Sequence, residues 1–153
     1  MIRKIITKNF FSLREEAVLD LTTSAKTPTD NSFEKAKCGD QISILAGVFG
    51  PNASGKTNLL KSLAFLNFFL RHSYRELKTK EGIPIDGYLG CDDPVNLSIE
   101  FEGQSNIYRY EIELDKSKVI DERIKRYNKP TNSFRTVLHR KAGKKAALIK
   151  QYD

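Results

Sequence analysis

Gly50-Pro51-Asn52-Ala53-Ser54-Gly55-Lys56-Thr57 spells the pattern G-x-x-x-x-G-K-[ST]. The run before it, Ile42-Ser43-Ile44-Leu45-Ala46-Gly47-Val48-Phe49, is short and almost wholly apolar, which predicts a buried strand over 42–49. After it, Leu59, Leu60, Leu63, Ala64, Leu66 and Phe69 recur at helical spacing and predict a helix from about Lys56 to Arg75. Strand, glycine-bearing loop and helix in that order make a phosphate cradle. The glycines let the chain bend until consecutive N–H groups point inward, at the positive end of the helix that follows. Gly50, Pro51, Asn52, Ala53, Ser54 and Gly55 would form the cradle, Lys56 would reach the β- and γ-phosphates, and the Thr57 hydroxyl would hold Mg²⁺. The expected ligand is a nucleoside triphosphate with magnesium.

At 153 residues the chain is long enough for a single domain with its own core. Its 39% hydrophobic and 29% charged residues place it among soluble globular proteins rather than disordered or membrane ones. The longest apolar candidate, Leu59 to Leu70, is interrupted by Lys61, Ser62 and Asn67 and falls short of the ~20 residues that cross a bilayer. Met1-Ile2-Arg3-Lys4 has no signal-peptide character, so a cytoplasmic location with no membrane partner is expected. Cys38 and Cys91 lack the spacing of a disulfide framework or a zinc site and read as reduced thiols. His72 and His139 stand alone, and His72 falls near the end of the predicted helix, where a cation suits the dipole.

Charge is uneven along the chain. From Lys116 onward twelve Lys and Arg face three acidic residues, an excess of nine, whereas the rest has fourteen against sixteen. The basic stretch 116–153, with Arg140, Lys141, Lys144 and Lys145 at its centre, is a candidate contact for nucleic-acid phosphates; a solvated turn or a docking face for another lobe is the competing reading. Tyr108, Tyr110 and Phe134 read as strand or core residues, because no RNA-binding signature accompanies them.

The stretch Ile2 to Leu13 reads as a strand followed by a turn, and Ala17 to Leu21 as a second strand. Residues 22–40 are rich in Thr, Ser, Lys, Pro and Asn and read as a mobile surface loop. Glu76 to Asp93 is a polar, glycine-bearing connection. Beyond it Val95 to Phe101 and Tyr108 to Leu114 alternate strictly, which predicts an antiparallel hairpin that opens a β-rich part from about 94 to 153. Shorter strands are expected around 123–127, 136–139 and 146–149.

The extended motif Phe49 to Leu63, with Asn58-Leu59-Leu60 after the core, resembles the phosphate loop of the RecF- and SMC-like branch of ABC-class ATPases, a group that includes OLD-type and other AAA-labelled bacterial defence ATPases. Ile5-Ile6-Thr7-Lys8-Asn9-Phe10 is similar to that family's opening strand. The resemblance implies an α/β P-loop NTPase fold, with 1–153 as the N-terminal lobe of an ABC-type head carrying an antiparallel β-subdomain. It implies ATP as the nucleotide, adds Asn58 to the binding residues, and sets the chain in DNA maintenance or phage defence. Two heads closing on nucleotide, as a homodimer, or a C-terminal ATPase lobe joined to this one would complete the site. Where the family often has a basic residue after Asn-Phe, this chain has Phe11, so Lys8 or Arg14 would have to substitute.

Hydrolysis in such a head needs an acidic pair on a buried strand. The nearest match, Val119-Ile120-Asp121-Glu122, has two apolar residues before the acids and lysines at 116 and 118, so no catalytic residue is assigned. A nucleotide-sensing module that binds without hydrolysis and recruits a partner is therefore the alternative. A guanine-specific enzyme fits less well, because the one Asn-Lys, at Asn128-Lys129, continues as Pro130-Thr131.

Overall fold

The computed structural model describes residues 1–23, 32–36, 39–76, 82–104 and 106–148. A hairpin of β1 (Ile2–Lys8) and β2 (Ala17–Asp20) opens the chain, and β3 (Phe33–Lys35) with β4 (Gln41–Ser43) makes a second, two-stranded sheet. Most of the loop expected over 22–40, including Cys38, lies outside the described residues. The helix α1 (Lys56–Glu76) follows, then β5 (Val95–Gly103), β6 (Asn106–Leu114), β7 (Val119–Asn128), β8 (Ser133–Lys141) and β9 (Ala147–Leu148). The large sheet runs β2-β1-β5-β6-β7-β8-β9 with every neighbouring pair antiparallel.

Alternation along β5 and β6 puts Val95, Leu97, Ile99, Tyr110, Ile112 and Leu114 on one face of this sheet. Buried Phe65, Leu66 and Phe69 of α1 join them in a single apolar cluster with Ile5, Phe10, Ile83 and Ile85. The buried stripe of the helix is 62, 65, 66 and 69, so Leu60 lies outside it. Ser62 is tolerated there because its hydroxyl donates to the Leu59 carbonyl at 2.6 Å. The opposite face of the sheet is ionic: Arg109 donates to Glu100 at 2.5 Å and Lys125 to Glu111 at 2.8 Å.

The strand predicted over 42–49 is a correction. Regular pairing ends at Ser43, and the apolar run beyond it is outside the core, with Ile44, Leu45 and Phe49 exposed by 61%, 77% and 92%. The cause is a missing neighbour. β4 pairs with the short β3, Ser43 N–H donates to Leu21 O and Ile44 N–H to Ser32 O, and among the described residues no backbone acceptor meets the N–H groups of 45–49. The Phe49 ring instead folds over Gly47, where an added Cβ would lie 2.6 Å from ring carbon Cε2.

Candidate functional site

α1 begins at Lys56 with no acidic residue in its first turn, so its own first turn does not neutralise the positive end of its dipole. The loop ahead of it, 51–54, is exposed. Ala53 takes the left-handed conformation (φ 64°) and so does Gly55 (φ 88°). At Gly55 a side chain is excluded twice, since a Cβ there would also stand 2.6 Å from Leu13 Cδ2. Ser54 N–H turns back to Pro51 O at 3.3 Å, and Leu59 N–H donates to Gly55 O at 2.9 Å. The N–H groups of Asn52, Ala53, Gly55, Lys56, Thr57 and Asn58 meet no backbone acceptor among the described residues. These six donors, on the loop and the helix's first turn, are the groups from which an anion nest would be built.

Lys56 closes the mouth of this nest. Its ammonium donates to Gly50 O at 2.8 Å and Pro51 O at 2.6 Å, so it lies along the loop and within reach of any anion seated there. Thr57 is exposed on the first turn, beside Lys56. Its free-standing hydroxyl suits a cation shared with phosphate oxygens. Among the described residues no three His, Cys, Asp or Glu side chains gather as a metal site of their own, so a magnesium ion here would rely on Thr57 and the phosphates.

The Asn58 side chain is engaged within the chain. Its amide donates to Ser12 Oγ at 2.7 Å and ties the helix start to the turn after β1. That turn, 9–14, is itself held rigidly. Asn9 and Phe11 have positive φ (54° and 50°), and Phe10 bridges Leu13. The Asn9 side chain donates to Asp93 O at 2.8 Å and Pro94 O at 3.1 Å, and accepts from Tyr88 N–H at 2.9 Å and the Cys91 thiol at 3.2 Å. Phe11 N–H donates to Asp86 O, and Leu89 N–H to Phe11 O, both at 3.1 Å. Ser12, Leu13 and Asn9 are thus positioning residues that the motif does not reveal; the Asn-Phe after the opening strand was the only signal of them. Arg14 leans toward the Tyr88 ring, 6.0 Å from its centroid, and Lys61 over Phe11 at 5.2 Å.

Asp121 and Glu122 lie elsewhere, on β7 within the antiparallel sheet. Asp121 accepts from His139 Nε2 and pairs with Arg123, both at 2.7 Å, while Glu122 accepts from Arg140 at 2.6 Å and from the Tyr110 hydroxyl at 2.7 Å. Both carboxylates are consumed by strand-to-strand pairing. These pairs remove Arg123 and Arg140 from the free charge of the basic stretch, and pairing with Glu111 removes Lys125, whereas Lys141, Lys144 and Lys145 sit exposed at the β8–β9 turn. No helix among the described residues is long and apolar enough to cross a membrane. His72, exposed on α1, stacks on Phe68 at 5.4 Å.

A family model described as "AAA domain, putative AbiEii toxin, Type IV TA system" matches residues 45–145, which is 101 of the 153. The match runs from the apolar segment before the loop to the turn after β8, so the phosphate loop and the β-rich part fall in one family domain. No curated protein matched the chain.

Proposed function

The chain belongs to this AAA-domain family, a nucleotide-binding ATPase type, and on that premise we propose that 50–58 binds ATP with Mg²⁺. The observation that carries the proposal is the set of N–H groups of Asn52, Ala53, Gly55, Lys56, Thr57 and Asn58 that meet no backbone acceptor among the described residues, at the start of a helix, with the Lys56 ammonium lying along the same loop. Those donors would take phosphate oxygens, Lys56 would exchange the Gly50 and Pro51 carbonyls for the β- and γ-phosphates, and Thr57 would hold the cation. Bound magnesium supplies charge neutralisation on the β- and γ-oxygens. Ser12, Leu13 and the side chain of Asn58 act indirectly, by fixing where the loop stands relative to β1.

We place the chain with the RecF- and SMC-like ATPases of DNA maintenance or phage defence; the toxin named in the family description supports the second setting. The exposed apolar run 45–49, whose N–H groups meet no backbone acceptor among the described residues, is where a second copy or a further ATPase lobe would add a strand. Because Asp121 and Glu122 are spent on ion pairs, the water-activating carboxylate would have to come from such a partner, and a module that binds without hydrolysing is the second reading. Phosphate release by the chain alone is expected far below the ordinary enzymatic range of ~1 s⁻¹ or more. Turnover in that range would overturn the need for a partner. The β8–β9 turn is one exposed part of the basic stretch that nucleic acid could reach. Binding there should weaken with salt by ~0.9 logarithmic units per phosphate contact on duplex DNA. If replacing Lys141, Lys144 and Lys145 with Ala leaves that slope intact, the turn is not the contact.

A further inference from the structure

Three residues that are not glycine hold left-handed backbone where two segments meet: Asn9 (φ 54°) and Phe11 (φ 50°) in the turn after β1, and Leu89 (φ 49°) in the short turn Tyr88–Gly90. Such backbone crowds a side chain, and asparagine tolerates it far better than leucine does. Packing does not hold Leu89 there, because the residue is 81% exposed. Its backbone is held instead. Leu89 N–H donates to Phe11 O at 3.1 Å, while Gly90 N–H to Gly87 O and Cys91 N–H to Tyr88 O, both at 3.0 Å, close the turn around it. Strain of this kind persists only while the neighbouring segment imposes it.

That neighbour is the turn that braces the phosphate loop. Phe11 is tied through both of its backbone groups, its N–H to Asp86 O and its oxygen to Leu89 N–H. Asn9 pins the same two segments together, its amide on Asp93 O and Pro94 O and its oxygen on Tyr88 N–H. Gly87 permits the close approach, since a Cβ there would stand 2.6 Å from Cys91 O and 3.2 Å from Asn9 Nδ2. At its other side the turn touches the loop itself, with Ser12 Oγ on the Asn58 amide and Leu13 Cδ2 in the space that a Gly55 side chain would fill. A line of contacts thus runs from Gly55 through Leu13, Phe11 and Asn9 to Leu89.

We infer that this line couples the phosphate loop to the exposed tip at Leu89. The position of the loop sets whether Leu89 keeps its left-handed conformation, and Asn9 is the positioning residue between the two. The contact line stands whatever fills the loop; that MgATP acts through it rests on the nucleotide reading of 50–58. Coupling between two places is reciprocal, so an intact line also favours the bound nucleotide.

Amide spectra of the full ¹⁵N-labelled chain, read beside calorimetry, test this with and without nucleotide. In the ligand-free chain Gly55→Ala forces Leu13 aside and should move the Leu89 and Gly90 amide resonances. Asn9→Gly allows the left-handed backbone but deletes the side-chain pin. In that background Gly55→Ala should leave both resonances where Asn9→Gly alone puts them. MgATP should shift the same two resonances of the parent with the midpoint that calorimetry gives. Asn9→Gly should bind MgATP more weakly by about five-fold or more, the low end of ordinary coupling between sites. If Asn9→Gly does not fold, Asn9→Asp takes its place, because it keeps the acceptor for Tyr88 N–H and loses both amide donor bonds. Leu89 and Gly90 resonances that ignore Gly55→Ala, or that ignore MgATP which calorimetry shows to be bound, would overturn the inference. A parent that binds no MgATP would overturn the nucleotide reading, and the Gly55→Ala response would still decide the coupling.

Discussion

Gly55 carries more of the site than its lack of a side chain suggests. It holds a left-handed φ of 88°, and Leu13 Cδ2 occupies the space where a Cβ would be. Gly55→Ala should therefore cost about 1–2 kcal/mol from backbone conformation alone. Displacement of the Leu13 turn adds to that. Thermal unfolding with and without MgATP checks it: the variant should melt lower and lose most of the nucleotide-induced shift. A variant with the parent's melting temperature and shift would mean the turn 9–14 does not set the loop's geometry. The glycine, the lysine and the threonine were legible in the sequence because a phosphate loop is a local object, eight consecutive residues whose roles follow from spacing. Leu13 and Ser12 were not, because their contact with the loop closes across some forty residues and no periodicity records it.

Among the elements, the β5–β6 hairpin was the most readable and the segment before the phosphate loop the least. Strict alternation from Val95 to Leu114 names both the strand type and the buried face. The apolar run 42–49 says only that these residues prefer to leave water; it cannot say which strand will pair with them, and after Ser43 none of the described ones does. β7 and β8 were expected as short strands and extend to ten and nine residues, because cross-strand charge pairs such as Asp121 with His139 and Glu122 with Arg140 lengthen the ladder without leaving an apolar pattern. Burial raises the Asp121 pKa, but the hydrogen bond from His139 and the Arg123 charge outweigh it and hold the carboxyl below the usual carboxylate range. A folded-state pKa depressed in this way contributes stability that is present above the unfolded value, near 4, and is lost as the pH falls through the lower folded value. Asp121→Asn should then be destabilised at neutral pH and show a shallower loss of stability on acidification below about pH 4 than the parent. Denaturant melts at pH 7, 4 and 2.5 read this out, and parallel curves for the two proteins would remove Asp121 from the account.

At the scale of the whole molecule, the antiparallel sheet and α1 form one apolar cluster, and among the described residues the phosphate loop meets it through the helix that follows and the turn after β1. Its other flank, Ile44, Leu45 and Phe49, faces water. Leu45→Asp with Phe49→Asp should leave the folded chain's stability within about 0.5 kcal/mol, since neither side chain is in the core. In sedimentation velocity with MgATP the parent is expected to self-associate and the same pair of changes to abolish it; dimers that persist in the variant would place the contact elsewhere. The central claim is that residues 50–58 bind ATP with magnesium, and calorimetric titration of MgATP into the parent chain and into Lys56→Ala tests it most directly. Saturable binding at one nucleotide per chain is expected for the parent, falling by roughly 10- to 100-fold in Lys56→Ala because one or two charge-assisted hydrogen bonds to phosphate are lost. No heat of binding in the parent, or equal affinity in the two proteins, would contradict the account.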